Sequence, residues 1–399
     1  MKTIFLASGR SSRMEPLGDK NLLEFCGVPF VLHLLQNAQK GGLKNFIVVT
    51  NGENTEEIKN ILQKEGFPAQ IAIQENLDEG QAGGVIAGLK LVEDGDEVFV
   101  LGGNDLVDSS AYQDIFKQSK NADGGILAKK VDQYFPGGYL QISGKNKIES
   151  IVEKPGEGNE PSDLVNIVAH FFRSAGDLRV MLQKQTLTQP DAYEKALTKL
   201  FAKKTFLAVP YEKIWQAIKY PWHILEIMET LLSQQKASIS KKAEISKSAQ
   251  IKGEGVIIKD GARVFENAVV QGPCYIGENC VVGNNALVRH SILNKNSVAG
   301  YNTEIARSFL AQNVTTHMAY VGDSVVDQGV NFGAYSCTAN LRLDKKTVKV
   351  TIKDERIDSH HEKLGAIVGA RAQIGIHSML MPGAKLLKEE LLGPGEIRK

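Results

Sequence analysis

No stretch of this 399-residue chain approaches the ~20 apolar residues of a membrane helix. Met1–Leu6 holds one lysine and a short apolar run that passes directly into a glycine-bearing loop, so a first strand is expected there and not a signal peptide. An excess of either charge is missing too. The 47 Lys+Arg against 46 Asp+Glu leave +1, which gives no bulk attraction to nucleic acid or to an anionic membrane. Cysteine is scarce, with four residues and no CxxC spacing, which points to reduced core thiols and a cytoplasmic setting. What is present, 42% hydrophobic and 23% charged residues over this length, suits two domains with full cores. Partners therefore have to be argued from local patterns.

The plainest pattern lies in the second half. Ile239, Ile245, Ile251 and Ile257 recur every six residues, and after one inserted residue Val264, Val270, Ile276, Val282 and Val288 continue. Small residues stand two positions ahead: Ala243, Ala249, Gly255, Ala262, Ala268, Cys274, Cys280 and Ala286. Val368, Ile374, Leu380 and Leu386 resume the phase near the C-terminus. A period of six fits neither helix nor ordinary strand but suits a parallel β-helix with triangular coils, three repeats per turn, aliphatics inside and small residues at corners.

From residue 1 to about 230 strands alternate with helices, the signature of an open, mostly parallel sheet covered on both faces. Strands are expected at Thr3–Ala7, Asn45–Thr50, Gln70–Ile73 and Glu97–Leu101, and helices at Val28–Gln39, Thr55–Lys64 and Gly80–Val92. The stretch 122–210 reads as an inserted lobe, and Tyr220–Gln234 as a helix leading to a boundary near Ser238. Ligands in such sheets collect beyond the carboxyl ends of the strands, here the loops after Ala7, Ile73 and Leu101.

After the first strand comes Leu6-Ala7-Ser8-Gly9-Arg10-Ser11-Ser12-Arg13-Met14, and then Lys20. The glycine and serines let backbone N–H groups approach a triphosphate, Arg13 can fork phosphate oxygens, and Lys20 can serve as a point charge. Taken alone, the loop is equally a strand-end turn with solvated basic residues. In company it resembles the L-A-x-G-x-G-[ST]-R-[ML]…P-K signature of sugar-phosphate nucleotidylyltransferases, with Ser11 at the second glycine and Asp19 at the proline. Gln74 with Gly80, Asn104-Asp105, Glu153-Lys154-Pro155 and Asn166 follow in that family's order.

The resemblance implies nucleotide contacts at Leu6, Ala7, Ser8, Gly9, Arg10, Ser11, Ser12, Gln74, Gly80 and Gln81, with Arg13 and Lys20 catalytic. It further implies sugar-phosphate contacts at Gly138, Glu153, Lys154 and Asn166, and Mg2+ on Asp105. The reaction implied is attack of a sugar 1-phosphate on the α-phosphorus of UTP or another nucleoside triphosphate. Where the family carries a second metal aspartate, in W-x-D, this chain reads Trp215-Gln216-Ala217.

Past Val288 the six-residue count loosens, and His317-Met318-Ala319-Tyr320-Val321-Gly322-Asp323 appears, followed by Asn331 and Asn340. Transfer of acetyl from a thioester to an amine needs a base near neutrality, which suits His317; taken on its own, a structural histidine in a coil is the preferred reading. The segment resembles the acetyltransferase half of bifunctional N-acetylglucosamine-1-phosphate uridylyltransferases. That likeness implies a left-handed β-helix homotrimer using acetyl-CoA and an amino-sugar 1-phosphate, with His317 and Asn340 catalytic and Arg289, Tyr320 and Asn331 on the sugar phosphate. The family's V-E-[MI]-K lysine is replaced by Ala306, with Arg307 one position later. Residues 341–364, charged and off-period, correspond to the family's arm, where Lys345 or Lys346 approaches the ligand, and His360-His361 is expected to face solvent.

The expected plan is a Rossmann-like nucleotidylyltransferase domain at 1–230, a linker at 231–238, and a β-helix acyltransferase domain at 239–399. Two further readings stay open: a nucleotidylyltransferase with the β-helix as trimerisation module, and a degenerate sugar-nucleotide-binding regulator.

Overall fold

A computed structural model describes residues 1–399. The chain divides into two compact units: Met1–Arg10 with Val31–Ala217, and Ser11–Phe30 with Ile218–Lys399. The segment Ser11–Phe30, which sequence order places in the N-terminal domain, thus groups with the β-helix.

In the first unit four apolar strands, Ala69–Ile73, Phe46–Thr50, Lys2–Leu6 and Val98–Gly102, lie parallel in that order. Near-continuous apolar strands are what a sheet covered on both faces selects. The helices Phe30–Lys40, Thr55–Lys64 and Gly80–Leu89 fall close to the expected spans. The stretch 122–210 is not a separate lobe. Its strands Leu164–Phe172, Gly124–Lys130, Phe206–Pro210, Lys147–Glu153 and Gly138–Ser143 extend the same sheet to nine strands, Leu164–Phe172 entering antiparallel to Val98–Gly102.

In the second unit, three eight-stranded parallel sheets form the faces of a prism, the left-handed β-helix of hexapeptide repeats. The first face runs from Ser238–Ile239 to Lys385–Leu386, the second from Glu244–Ile245 to Leu391–Leu392, and the third from Gln250–Lys252 to Ile397–Arg398. One column member differs from the sequence count: Ile239 pairs with Ile258, not Ile257. The inserted residue is absorbed at the corner containing Gly253 and Gly255, both at positive φ. The column also does not lapse after Val288. Leu293, Ala299, Ile305, Leu310, Val321, Val326 and Phe332 continue the buried interior, with corners shortened by one residue before Leu293, Leu310, Val321 and Val326.

Corner geometry explains the polar residues there. Asn267, Asn279, Asn285, Asn296, Asn302 and Asn313 all adopt left-handed backbone with φ between 52° and 62°, the region asparagine tolerates best after glycine. Where corners shorten, serine hydroxyls take over backbone pairing: Ser308 N–H donates to Ser291 Oγ at 3.0 Å, Ser324 N–H to Ser308 Oγ at 3.1 Å, and Ala366 N–H to Ser324 Oγ at 3.0 Å.

Candidate active sites

In the first unit the loop after the first strand is pinned from below. Asn54 Nδ2 donates to the Ala7 carbonyl at 2.9 Å and Asn51 Nδ2 to the Ser8 carbonyl at 3.0 Å. Sequence reasoning missed both asparagines; the signal was Asn51-Gly52-Glu53-Asn54 at the carboxyl end of a strand. Gln74 is buried, its amide donating to the Gly80 carbonyl at 2.8 Å and the Asn76 carbonyl at 3.1 Å, while its oxygen accepts from Ser8 Oγ. Leu6, Ala7, Ser8, Gln74 and Gly80 are thus gathered, whereas Arg10 pairs at the surface with Asp78. Gln81 Nε2 is buried without a hydrogen-bond partner, an orphan donor at the expected base-recognition segment.

The rest of the loop, described within the second unit, supports itself. Ser11, at the glycine position of the motif, has φ 51°, which explains why glycine is usual there. Its hydroxyl donates to Asp19 Oδ1 at 3.2 Å and accepts from Lys20 N–H at 3.4 Å. Asp19 also accepts from Asn21 N–H at 3.0 Å, capping the turn Lys20–Leu22. The two departures from the motif therefore answer each other. Ser12 is exposed, and Arg13 lies over the Tyr220 ring, 5.9 Å from its centroid.

Asp105–Val107 pairs antiparallel with Trp215–Ala217, with Ala217 directly opposite Asp105, and Trp215 Nε1 donates to Asp105 Oδ1 at 2.9 Å. On the sugar side Gly138 and Glu153 are register partners, and a Cβ on Gly138 would fall 2.7 Å from Asn166 Nδ2, so only glycine lets these groups converge. Lys154 Nζ pairs with Glu153 Oε1 at 2.8 Å. Beneath them lies a buried relay absent from the sequence reading: Asn166 Oδ1 meets His170 Nε2 at 2.8 Å, and His170 Nδ1 meets Tyr193 Oη at 3.0 Å. Burial pushes the His170 imidazole down to about 3, so it is neutral. Burial first, and then the charge of Glu153, raises the neighbouring Glu194 carboxyl to about 7.

On the β-helix, Asn340 Nδ2 donates to Tyr320 Oη at 3.1 Å and to Asp323, and Asp323 receives a two-pronged Arg307 guanidinium at 2.6 Å on each oxygen. Arg307 and Asp323 are successive left-handed residues of the edge between the third and first faces. The arm leaves that edge after Asn340 and returns where Leu364 N–H donates to the Asn340 carbonyl at 2.9 Å. Arg289 is held by Glu304, with Nη2 at 2.7 Å from Oε1. His317 stands exposed on the opposite edge of the third face, and Asn331 on the second face accepts from Thr315 Oγ1 at 2.8 Å. Within one chain, hydrogen bonds join Tyr320, Asp323 and Asn340 to one another but not to His317 or Asn331.

The arm is a hairpin of Lys349–Ile352 and Glu355–Asp358. Arg342, Lys345, Lys346, Lys349 and Arg356 line an open groove together with the acidic Asp358 and Glu362. The expectation for His361 is corrected, since its Nε2 lies 3.0 Å from Glu226 Oε1 on the helix His223–Ser233. His360 remains exposed at the surface.

The description "Nucleotidyl transferase" matches residues 2–254, and "Bacterial transferase hexapeptide (six repeats)" matches 255–290. The chain belongs to the nucleotidyl transferase family. A bifunctional sugar-1-phosphate nucleotidylyltransferase/acetyltransferase of Sulfurisphaera tokodaii is 28% identical to it, with 100% of this chain and 97% of the relative covered. A "Bifunctional protein GlmU" of Methanococcus maripaludis is 32% identical over 98% of this chain and 93% of its own. The β subunit of a Danio rerio mannose-1-phosphate guanylyltransferase is 26% identical over 55% of this chain and 62% of its own. The two bifunctional relatives match both the nucleotidyl transferase part and the hexapeptide coils.

Nucleotidyl transferase chemistry typically uses a divalent cation. No cluster of three or more His, Cys, Asp or Glu side chains gathers to hold one. Asp105 has Ala217 across from it and shares one oxygen with Trp215. This donor set fits a magnesium that arrives on a triphosphate and keeps most of its water, not a cation caged by protein. Bound there, it would neutralise phosphate charge as pyrophosphate departs.

Proposed function

We propose that this protein makes an activated amino-sugar nucleotide in two steps, as a homotrimer. On the β-helix, the amine of glucosamine 1-phosphate or an epimer attacks the carbonyl of acetyl-CoA; His317 accepts the amine proton, the C–S bond breaks, and free CoA leaves. On the nucleotidyl side, the phosphate oxygen of the acetylated product attacks the α-phosphorus of UTP or another nucleoside triphosphate and expels pyrophosphate. Arg13 and Lys20 balance the charge gathering on phosphate, Gln81 Nε2 supplies a donor to the base, and Asp105 would hold a magnesium carried by the triphosphate, which would supply further charge neutralisation.

The observation that carries this reading is Asn340, bonded at once to Tyr320 and to Asp323 in the H-x-x-Y-x-G-D segment that His317 heads. A coil built only as scaffold has no use for a buried carboxylate gripped by Arg307 and an amide. One observation favours a second reading, a sugar-nucleotide-binding protein with a weakened nucleotidyl site: Ala217 stands where a carboxylate would face Asp105.

The test is thiol release from acetyl-CoA with glucosamine 1-phosphate, alongside pyrophosphate release from UTP and N-acetylglucosamine 1-phosphate with magnesium. His317→Ala should cut the first by about 10²- to 10⁴-fold, the usual contribution of a positioned base. Lys20→Ala should remove the second. No thiol release with any amino-sugar phosphate would sink the acetyl-transfer half.

A further inference from the structure

Six of the eight outward positions on the first β-helix face are apolar, the exceptions being Ser238 and Lys385 at its two ends. Residues one position before the interior column, Ile257, Tyr275, Ile292, Phe309, Val325 and Ile367, point away from the coil, yet each is at most 8% exposed. The corresponding positions on the second face include Glu244, Arg263, Thr315, Asn331 and Gln373. In the second unit the apolar side is met by Ser11–Phe30, the segment that carries Arg13 and Lys20. Phe25 packs on Phe309 with ring centroids 5.2 Å apart.

Two buried polar side chains of the same face hold that segment by its backbone. Asn294, directly after interior Leu293, donates to the Glu24 carbonyl at 2.8 Å, and Asp327, directly after interior Val326, accepts from Gly18 N–H at 3.1 Å. Asn294 is 1% exposed and Asp327 9%. Lys385 Nζ reaches the Glu15 carbonyl at 3.3 Å. Lys20 thus sits between two backbone anchors, Gly18 and Glu24, both set by β-helix side chains. A buried donor or acceptor is costly to leave unpaired, so the Asn294 amide N–H on Glu24 and the Asp327 carboxylate on Gly18 specify where the segment lies, although Asn294 Oδ1 is itself buried without a partner.

We infer that Asn294 and Asp327 are positioning residues for nucleotidyl transfer: the β-helix fixes the loop that places Lys20 and is part of that machinery, not only of acetyl transfer. This rests on the nucleotidyl-transfer reading above. A loop displaced by ~1 Å commonly costs on the order of 10²-fold in rate when it carries a charge aimed at reacting phosphate.

The experiment uses the full chain. In Asp327→Ala and in Asn294→Ala, amide hydrogen exchange across Ser11–Phe30 should rise, and kcat for pyrophosphate release should fall about 10- to 100-fold. The KM for sugar phosphate should stay unchanged, as should thiol release from acetyl-CoA, which reports an intact β-helix. Asp327→Asn, whose amide oxygen still accepts from Gly18, should restore both the exchange pattern and kcat. Unchanged exchange in the alanine variants overturns the inference, and so does an equal loss of both activities, which would mean general unfolding. A wild-type protein without pyrophosphate release would refute nucleotidyl transfer and with it this assignment, whereas an active wild type with unaffected variants refutes the assignment alone.

Discussion

Single residues set the chemistry here, and several do so by substitution for what the motif expects. Ser11 and Asp19 are legible as departures in the sequence, but not as a pair, because the bond between them spans a loop whose path no local pattern fixes. Ala217 was legible outright, and its place across from Asp105 makes a direct prediction. Ala217→Asp should supply a second carboxylate and lower the magnesium concentration needed for half-maximal pyrophosphate release several-fold; an unchanged magnesium dependence would mean the cation never approaches this pair. Glu194 had no sequence signal at all, being one more glutamate on an amphipathic helix. Its carboxyl is raised from 4.5 to about 7, so the folded state holds its proton more tightly than the unfolded chain. The stability this adds is complete below about pH 4.5 and is lost as pH climbs through about 7, a swing on the order of 3 kcal/mol. Glu194→Gln, neutral throughout, should match wild type in urea at pH 5 and exceed it at pH 8. Equal midpoints at both values would show that the carboxyl is solvated.

At the level of elements, the β-helix was the most legible part, because a column of aliphatics with small corner residues has no other regular home. The count loosened after Val288 for a physical reason. A corner can lose a residue when a serine hydroxyl replaces the backbone pairing, so the interior stays in register while the spacing in sequence changes. Ser308 illustrates the cost of removing that device. Its hydroxyl accepts from Ser324 N–H and donates to the Ala306 carbonyl at 2.9 Å, all of it buried. Ser308→Ala orphans a buried N–H and should destabilise the coil by about 1–3 kcal/mol, read as a shift in denaturant midpoint at constant slope. Ser248→Ala, on an exposed corner of an early coil, should be close to neutral. The arm was legible as an excursion but not as a tethered one. Burial alone would raise the Glu226 carboxyl, yet the His361 hydrogen bond and nearby His223 bring it below its usual value, a link between residues 135 apart in sequence.

For the whole molecule, the decisive fact is that one chain distributes its acetyl-transfer candidates over two edges of a prism. His317 sits at the corner between the second and third faces and Asn331 on the second face, Tyr320 opens the third-face strand that follows His317, and Asp323 and Asn340, which the Tyr320 hydroxyl reaches, lie toward the edge with the first face. Sequence gathers them because they lie within 24 positions; the coil separates them because a few residues carry the chain across a whole face. If the protein is the homotrimer proposed above, an amino-sugar phosphate that needs both groups would be bound where the edge of one copy meets the edge of another, as closed cyclic symmetry would arrange. That makes complementation the sharpest test of assembly. His317→Ala and a Lys345→Ala/Lys346→Ala arm variant should each lose most thiol release. Unfolded together and refolded as mixed assemblies, they should recover a substantial fraction, since some sites then draw His317 from one parent and the arm from the other. If the mixture stays as inactive as its parents while each alone still forms the native oligomer, base and arm serve the same chain, and the site must lie across one copy's own third face.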